Sequence, residues 1–222
     1  MAGEFAQEVQ RLLDGTLPGE RSIVADEFQD RFVVRPAVTS DSPTASNPLP
    51  VYANGAVCAR LSMLFRCRLD RSGKYLAVEQ SAFTLSTSRG KPLVRLEFDQ
   101  DQAPAVHWHA HGDRTDLGTL LATTGRPVPH FLHALHLPAG GTRMRPCLED
   151  FIEFVVRDLG VDAVDRWRSV VEAGRETWRR RQVRTLVRDA PSEAAATLVA
   201  LGYEVAPPAT RPAENLTALR AY

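Results

Sequence analysis

Residues 57–69 alternate with a period of two, and this pattern constrains the fold more than any other part of the 222-residue chain. Successive side chains of a strand point to opposite faces, so the pattern predicts a long strand with one buried face. The apolar parity contains Val57, Ala59, Leu61, Met63, Phe65, Cys67 and Leu69, whereas Arg60, Ser62, Arg66 and Arg68 lie on the other. Such a strand indicates an antiparallel sheet packed on one side.

Further strand patterns follow along the chain. A hairpin-sized turn leads into residues 75–87, a second turn leads into 93–99, and a fourth strand is expected over 105–111. Residues 22–35 fit either a helix or a strand. The predicted fold is therefore α+β, a four- or five-stranded antiparallel meander packed against helices, with a C-terminal helical region.

Helical spacing at both ends of the chain completes this outline. Apolar residues predict a helix over residues 4–13, and a long helix is expected from Asp162, as N-cap, to Asp189. We expect one domain overall. Its predicted parts are an N-terminal helical or mixed segment (1–35), a linker (36–50), an α+β core with the histidines (51–160), C-terminal helices (161–203) and a tail (204–222).

Composition excludes several classes of protein. Basic and acidic side chains number 27 each, so the chain lacks the strong positive electrostatic field of a protein that coats nucleic acid. Three cysteines without paired spacing predict neither a disulfide framework nor a cysteine zinc site. The first residues do not resemble a signal peptide, and no apolar run approaches the ~20 residues that span a bilayer. We expect a cytoplasmic protein that does not bind membranes.

All six histidines lie within residues 107–136. In the segment His107-Trp-His-Ala-His111, strand alternation sends the three histidines to one face and Trp108 to the other. The same alternation, applied to the two preceding strands, predicts that Glu79, Arg95 and Glu97 share that face with His107 and His109. Such a set suits acid–base catalysis or, with neutral imidazoles, metal binding.

Arg95 argues against an obligatory metal ion, because a fixed cation beside a metal is unfavourable in a partly dry site. We therefore expect no cofactor; if a divalent metal does bind, the predicted ligands are His107, His109 and His136. His136 is a further catalytic candidate, since the turn that follows would fix its position. Arg143 and Arg145 precede a helix and could bind substrate phosphate, although the same turn could be purely structural.

Two family resemblances bear on function. The layout of residues 60–158, with Glu79, Arg95, Glu97, His107 and His109 in order, resembles the small histidine-rich TumE-type toxins of bacterial toxin–antitoxin systems. That resemblance implies an activity directed at RNA and an antitoxin partner. Residues 107–111 also resemble the histidine-triad motif of nucleotide hydrolases and transferases, over five residues only.

The leading functional hypothesis is an enzyme that acts on phosphodiester bonds of RNA or a nucleotide, as a ribonuclease or nucleotide hydrolase. His107 and His109 are its predicted acid and base, Glu97 or Glu79 orients them, and Arg95 stabilises charge on phosphate. Two alternatives remain open at this point. One is a non-catalytic, partner-binding protein of antitoxin or immunity type, and the other is histidine-triad nucleotide chemistry.

Overall fold

Seven strands form one antiparallel sheet in the computed structural model, which describes residues 1–29, 31–38, 47–70, 73, 75–101, 105–110, 114–124 and 145–220. They are β1 (Ile23–Phe28), β2 (Arg31–Pro36), β3 (Leu49–Ala53), β4 (Ala56–Leu69), β5 (Leu76–Thr87), β6 (Pro92–Asp99) and β7 (Val106–Ala110). The order is β1-β2-β4-β5-β6-β7, and β3 also pairs with β4. The α+β class is confirmed, but the sheet is larger than the expected four or five strands.

Helices precede and follow the sheet. They are α1 (Ala2–Asp14), α2 (Arg114–Thr123), α3 (Leu148–Glu153), α4 (Trp167–Asp189), α5 (Pro191–Ala200) and α6 (Leu216–Arg220). A π-helical turn over Phe154–Asp158 continues α3. The N-terminal helix predicted over residues 4–13 is confirmed by α1. Among the described residues, no helix combines the length and apolar character needed to cross a membrane.

Strand β4 is the centre of the sheet. Along one edge of β4, residues 59–69 pair with β5. Two strands pair with the other edge: β3 with residues 56–61 and β2 with residues 65–68. The alternation read from the sequence is reproduced in the burial of this strand, where every second residue from Ala59 to Cys67 is buried. The apolar parity thus defines an inner face covered by helices, and the polar parity defines an outer face.

An aromatic chain runs across the inner face. The ring of Phe5 on α1 lies 5.0 Å from that of Phe65, which lies 5.2 Å from Phe83. Phe83 in turn lies 5.9 Å from Phe151 on α3, and Trp108 of β7 stacks on the other side of Phe151, again at 5.9 Å. Aromatic pairs at these spacings add to the burial of large apolar side chains, so this chain fixes α1 and α3 on the sheet.

A buried ion network fixes α4 on α3. Arg175 donates through Nε to Asp150 Oδ1 at 2.7 Å and through a second nitrogen to Glu153. Asp150 also caps α3, because its Oδ2 accepts the backbone N–H of Cys147 at 2.9 Å. One carboxylate therefore serves both the start of one helix and the docking of another.

Asp162 has a role that the sequence did not predict. Helix α4 begins at Trp167, so Asp162 is not its N-cap. Instead, its carboxylate accepts the backbone N–H groups of Asn54, at 3.0 Å, and Gly55, at 2.8 Å, in the turn between β3 and β4. Both turn residues have positive φ, and the Asp162 N–H donates to Tyr52 O at 2.8 Å. The Asp162 carboxylate thus satisfies the two backbone N–H groups at the tip of a tight turn.

Two of the expected connecting regions contain regular structure. The segment interpreted as a linker ends in strand β3, and its residues 39–46 lie outside the described part of the chain. The segment interpreted as a tail contains α6, which is joined to the end of α4 by a hydrogen bond from Asn215 Nδ2 to Asp189 Oδ1 at 2.9 Å.

Candidate functional site

Strands β6 and β7 bring four predicted site residues together. Their register pairs Arg95 with His109 and Glu97 with His107, so all four side chains lie on the outer face. Trp108, between the histidines, points to the inner face and packs in the aromatic chain described above. We call Arg95, Glu97, His107 and His109 the outer-face cluster.

One carboxylate joins the members of the outer-face cluster. Glu97 Oε2 lies 3.3 Å from His107 Nε2 and 3.1 Å from His109 Nε2. Its other oxygen, Oε1, lies 3.4 Å from Arg95 Nε. The imidazole rings meet edge to face, with centroids 4.9 Å apart. Glu97 therefore orients both rings and carries the one negative charge among the four side chains.

The cluster is accessible without being fully solvated. His109 is 41% exposed and Arg95 37%, whereas His107 and Glu97 are 22% and 25% exposed. A small anionic group can reach the rings, while the carboxylate that holds them is shielded on several sides. Partial burial also strengthens the electrostatic contacts of Glu97 relative to those of a fully exposed ion pair.

Glu79 does not join the cluster, in contrast to our expectation. A β-bulge opposite Arg66 and Cys67 makes Glu79 an extra residue of β5. Its carboxylate is bound instead by Arg68 Nε at 2.8 Å and by Gln100 Nε2 at 3.1 Å. Glu79 also shares its parity with Ser81 rather than with the outer-face residues of the strand.

The outer face carries a second polar group that the sequence analysis did not single out. Arg66 donates to Gln80 Oε1 at 3.1 Å, and Gln80 Nε2 donates to Asp99 Oδ2 at 2.9 Å. Parity alone could have identified these residues, because Asp99 follows Arg95 and Glu97 in steps of two along β6. They extend the hydrogen-bonding surface beside the cluster across β4, β5 and β6.

The remaining predicted residues are not part of this cluster as described. Arg145 lies on the inner side, with its guanidinium 3.8 Å from the ring centre of Phe98 and 5.1 Å from that of Trp178. Burial there lowers the pKa of Arg145 to about 10. Arg145 therefore does not form the exposed phosphate-binding site that the sequence suggested. Arg143 and His136, like the other histidines beyond residue 109, lie outside the described residues.

The cluster also has the composition of a metal site. Glu97, His107 and His109 each offer one ligand atom, and these atoms lie within 4.8 Å of one another. Zinc–nitrogen bonds of ~2.0–2.1 Å place neighbouring tetrahedral ligands ~3.3 Å apart, close to the observed oxygen–nitrogen distances. Two imidazoles and a carboxylate are a chemically suitable set for a divalent ion.

Comparison with known proteins adds no constraint: no family model, curated protein or solved structure matches the chain. The geometry of the outer-face cluster is therefore the main indication of function.

Proposed function

We propose that the outer-face cluster is a catalytic site for phosphodiester bonds of RNA or of a nucleotide. One observation supports this above all others: two imidazoles share a single carboxylate oxygen, and an arginine lies beside its other oxygen. The arrangement offers two groups that can move protons and one fixed cation. Those are the components that a phosphoryl transfer without metal requires.

The proposed division of labour follows from the contacts of each side chain. His109, the more exposed imidazole, accepts the proton of the attacking hydroxyl as the new bond to phosphorus forms. His107, as imidazolium, donates a proton to the leaving oxygen as its bond to phosphorus breaks. Glu97 is a positioning residue, since it contacts both rings, and Arg95 balances the charge that develops on the phosphate oxygens.

Charge favours an anionic substrate over a cationic or neutral one. Glu97 supplies one negative charge, whereas Arg95 supplies a permanent positive charge and protonation of either histidine adds another. A phosphate group that contacts both rings would therefore enter a site with net positive charge. Long-range attraction of this kind raises the rate of association and weakens with salt.

The first test is cleavage of a mixed-sequence RNA oligonucleotide with a matched DNA oligonucleotide as control. We expect cleavage of the RNA but not of the DNA, and a loss of ~10²–10⁴-fold in His109→Ala. Gln80→Ala is the matched control, because it alters the same sheet face outside the cluster. Equal activity in His109→Ala and wild type would exclude this site.

The second test separates metal-free catalysis from a metal site. Activity should persist in chelator, and metal analysis should find no stoichiometric ion in the purified protein. One tightly bound zinc per chain, with activity lost on chelation and restored by zinc, would assign Glu97, His107 and His109 as ligands. That result would replace the acid–base proposal with metal-assisted hydrolysis.

A further inference from the structure

A crevice of about 350 Å³ lies between α1, α4 and the inner face of the sheet, on the side opposite the outer-face cluster. Its floor contains Phe65 and Phe83, and its walls include Phe5 and Val9 of α1 and Trp178 of α4. Volumes of this size accept small organic ligands, and aromatic and aliphatic walls favour an apolar body. The question is which polar group such a ligand must carry.

Two acidic residues line this crevice, Glu8 on α1 and Glu149 at the start of α3. Among the described residues the Glu149 carboxylate has no ion-pair partner. On α4, Arg175 is held by Asp150 and Glu153, and Arg181 is bound at both carboxylate oxygens of Glu8. The hydrogen bonds of these two arginines are therefore made to other carboxylates.

A glycine in helix α4 leaves room for the Glu149 carboxylate. Gly174 lies within the 23-residue helix α4, where glycine is less favourable than alanine. A Cβ at that position would lie 2.5 Å from Glu149 Oε1 and 3.0 Å from its Cγ. Any larger residue would displace Glu149 from the wall of the crevice, so the two positions are sterically coupled.

We propose that this crevice binds a small, predominantly apolar molecule that carries one protonated amine, with the ammonium group paired to Glu149. Burial raises the pKa of Glu149 although the Cys147 thiol and the charge of Arg175 act in the opposite direction, so these neighbours offset only part of the cost of burying the ionised carboxylate. An ammonium ligand supplies a further cation, while the hydrocarbon part contacts the aromatic floor. A carboxylate ligand would meet a second acid in a partly apolar site and is disfavoured.

Arg11 at the edge of the crevice provides the competing arrangement. It lines the same space from α1 and is exposed. If its side chain turned inward to Glu149, the site would prefer anionic or neutral molecules to amines. The choice of probes below distinguishes these two electrostatic arrangements.

Calorimetric titration of the full-length protein at neutral pH tests the proposal with three probes that share a phenethyl group and differ in the polar end: phenethylamine, 2-phenylethanol and 3-phenylpropionate. We expect phenethylamine to bind with a dissociation constant of about 1 mM or below. It should bind at least about tenfold more tightly than the alcohol, as expected for a hydrogen bond to a charged group. The carboxylate probe should bind most weakly.

Three variants locate the binding. Glu149→Gln keeps the shape of the side chain and should remove the preference for amine over alcohol. Ala173→Phe should fill the crevice and abolish binding of all probes, whereas Glu172→Gln, an exposed acid on the same helix, should bind as wild type. Circular dichroism checks that each variant is folded, and the indole N–H resonance of Trp178 should shift only where a ligand enters.

Several results would overturn the proposal. No detectable heat from phenethylamine at ~10 mM, well above the expected constant, would exclude an amine site. Tighter binding of the carboxylate would assign the crevice to Arg11 instead. An amine preference that survives Glu149→Gln, or binding that survives Ala173→Phe in a folded protein, would place the ligand elsewhere on the surface.

Discussion

Replacing Arg175 by methionine should destabilise the protein by about 3–5 kcal/mol, because it leaves the buried carboxylate of Asp150 without its cation. Asp150 is only 6% exposed, whereas Glu153 is 23% exposed and keeps a second cation, Arg157, at 3.5 Å. Methionine retains much of the length and apolar contact of the arginine, so the loss reports the charge rather than a cavity. The replaced side chain is itself only 15% exposed.

A matched control exists on the same helix. Arg180 pairs with Glu176 one turn away, but these side chains are 72% and 63% exposed. Exposed pairs of this spacing contribute about 0.3–0.5 kcal/mol. Arg180→Met should therefore be close to wild type, although it removes the same charge from the same helix.

Urea unfolding of the two variants measures the difference directly, and the slope of the transition shows whether the unfolded state has changed. For a chain of this size we expect the thermal midpoint of Arg175→Met to fall by roughly 10 °C, from ~2–4 °C per kcal/mol. If Arg175→Met and Arg180→Met are equally stable, the buried network does not hold α3 on α4.

Three further predictions concern single side chains. Trp108→Ala should cost about 3–5 kcal/mol in urea unfolding, because it removes the indole that stacks on Phe151, whereas His109→Ala on the opposite face should cost within about 0.5 kcal/mol. Asp162→Ala should cost about 1–3 kcal/mol, since two N–H groups of the β3–β4 turn lose their acceptor, and hydrogen exchange there should accelerate. Burial raises the pKa of Glu149, so the folded state binds more protons than the unfolded chain. Glu149 therefore lowers the stability of the protein as pH rises above the ordinary pKa of a glutamate, about 4.3. Glu149→Gln should consequently be more stable than wild type at neutral pH, an advantage that disappears below that value in a series of unfolding curves.

The parts of the fold that the sequence predicted are those where periodicity and burial agree. In β4 every buried apolar residue falls on one parity, so the strand and its faces could be identified at once. In β7 the same rule placed Trp108 inward and the two histidines outward. Strands β1 and β2 were ambiguous, because Val24, Phe28 and Phe32 also match the spacing of a helix, and only pairing with β4 selects the extended form.

Errors arose where a position is set by a contact distant in sequence. Glu79 was assigned to the outer face although it shares its parity with Phe83 of the inner face. A bulge leaves Glu79 unpaired in the sheet, and its carboxylate is bound by Arg68 and Gln100 instead of joining the cluster. Arg145 looked like a surface cation beside a helix start, yet Phe98 and Trp178 enclose it. Neither the bulge nor the enclosure leaves a local pattern, so propensity and spacing cannot reveal them.

The contact of Asp162 with the β3–β4 turn bears on the order in which the chain can fold. Asp162 follows Asn54 by 108 positions and Gly55 by 107 positions in the sequence. The turn therefore lacks its acceptor until most of the chain has been synthesised. Loop closure over such a distance is slow compared with the formation of local hairpins. A nascent chain that ends before residue 162 would expose the sheet and leave this turn incomplete. Truncated chains held on the ribosome should accordingly gain protease resistance only once the segment beyond α3 has emerged.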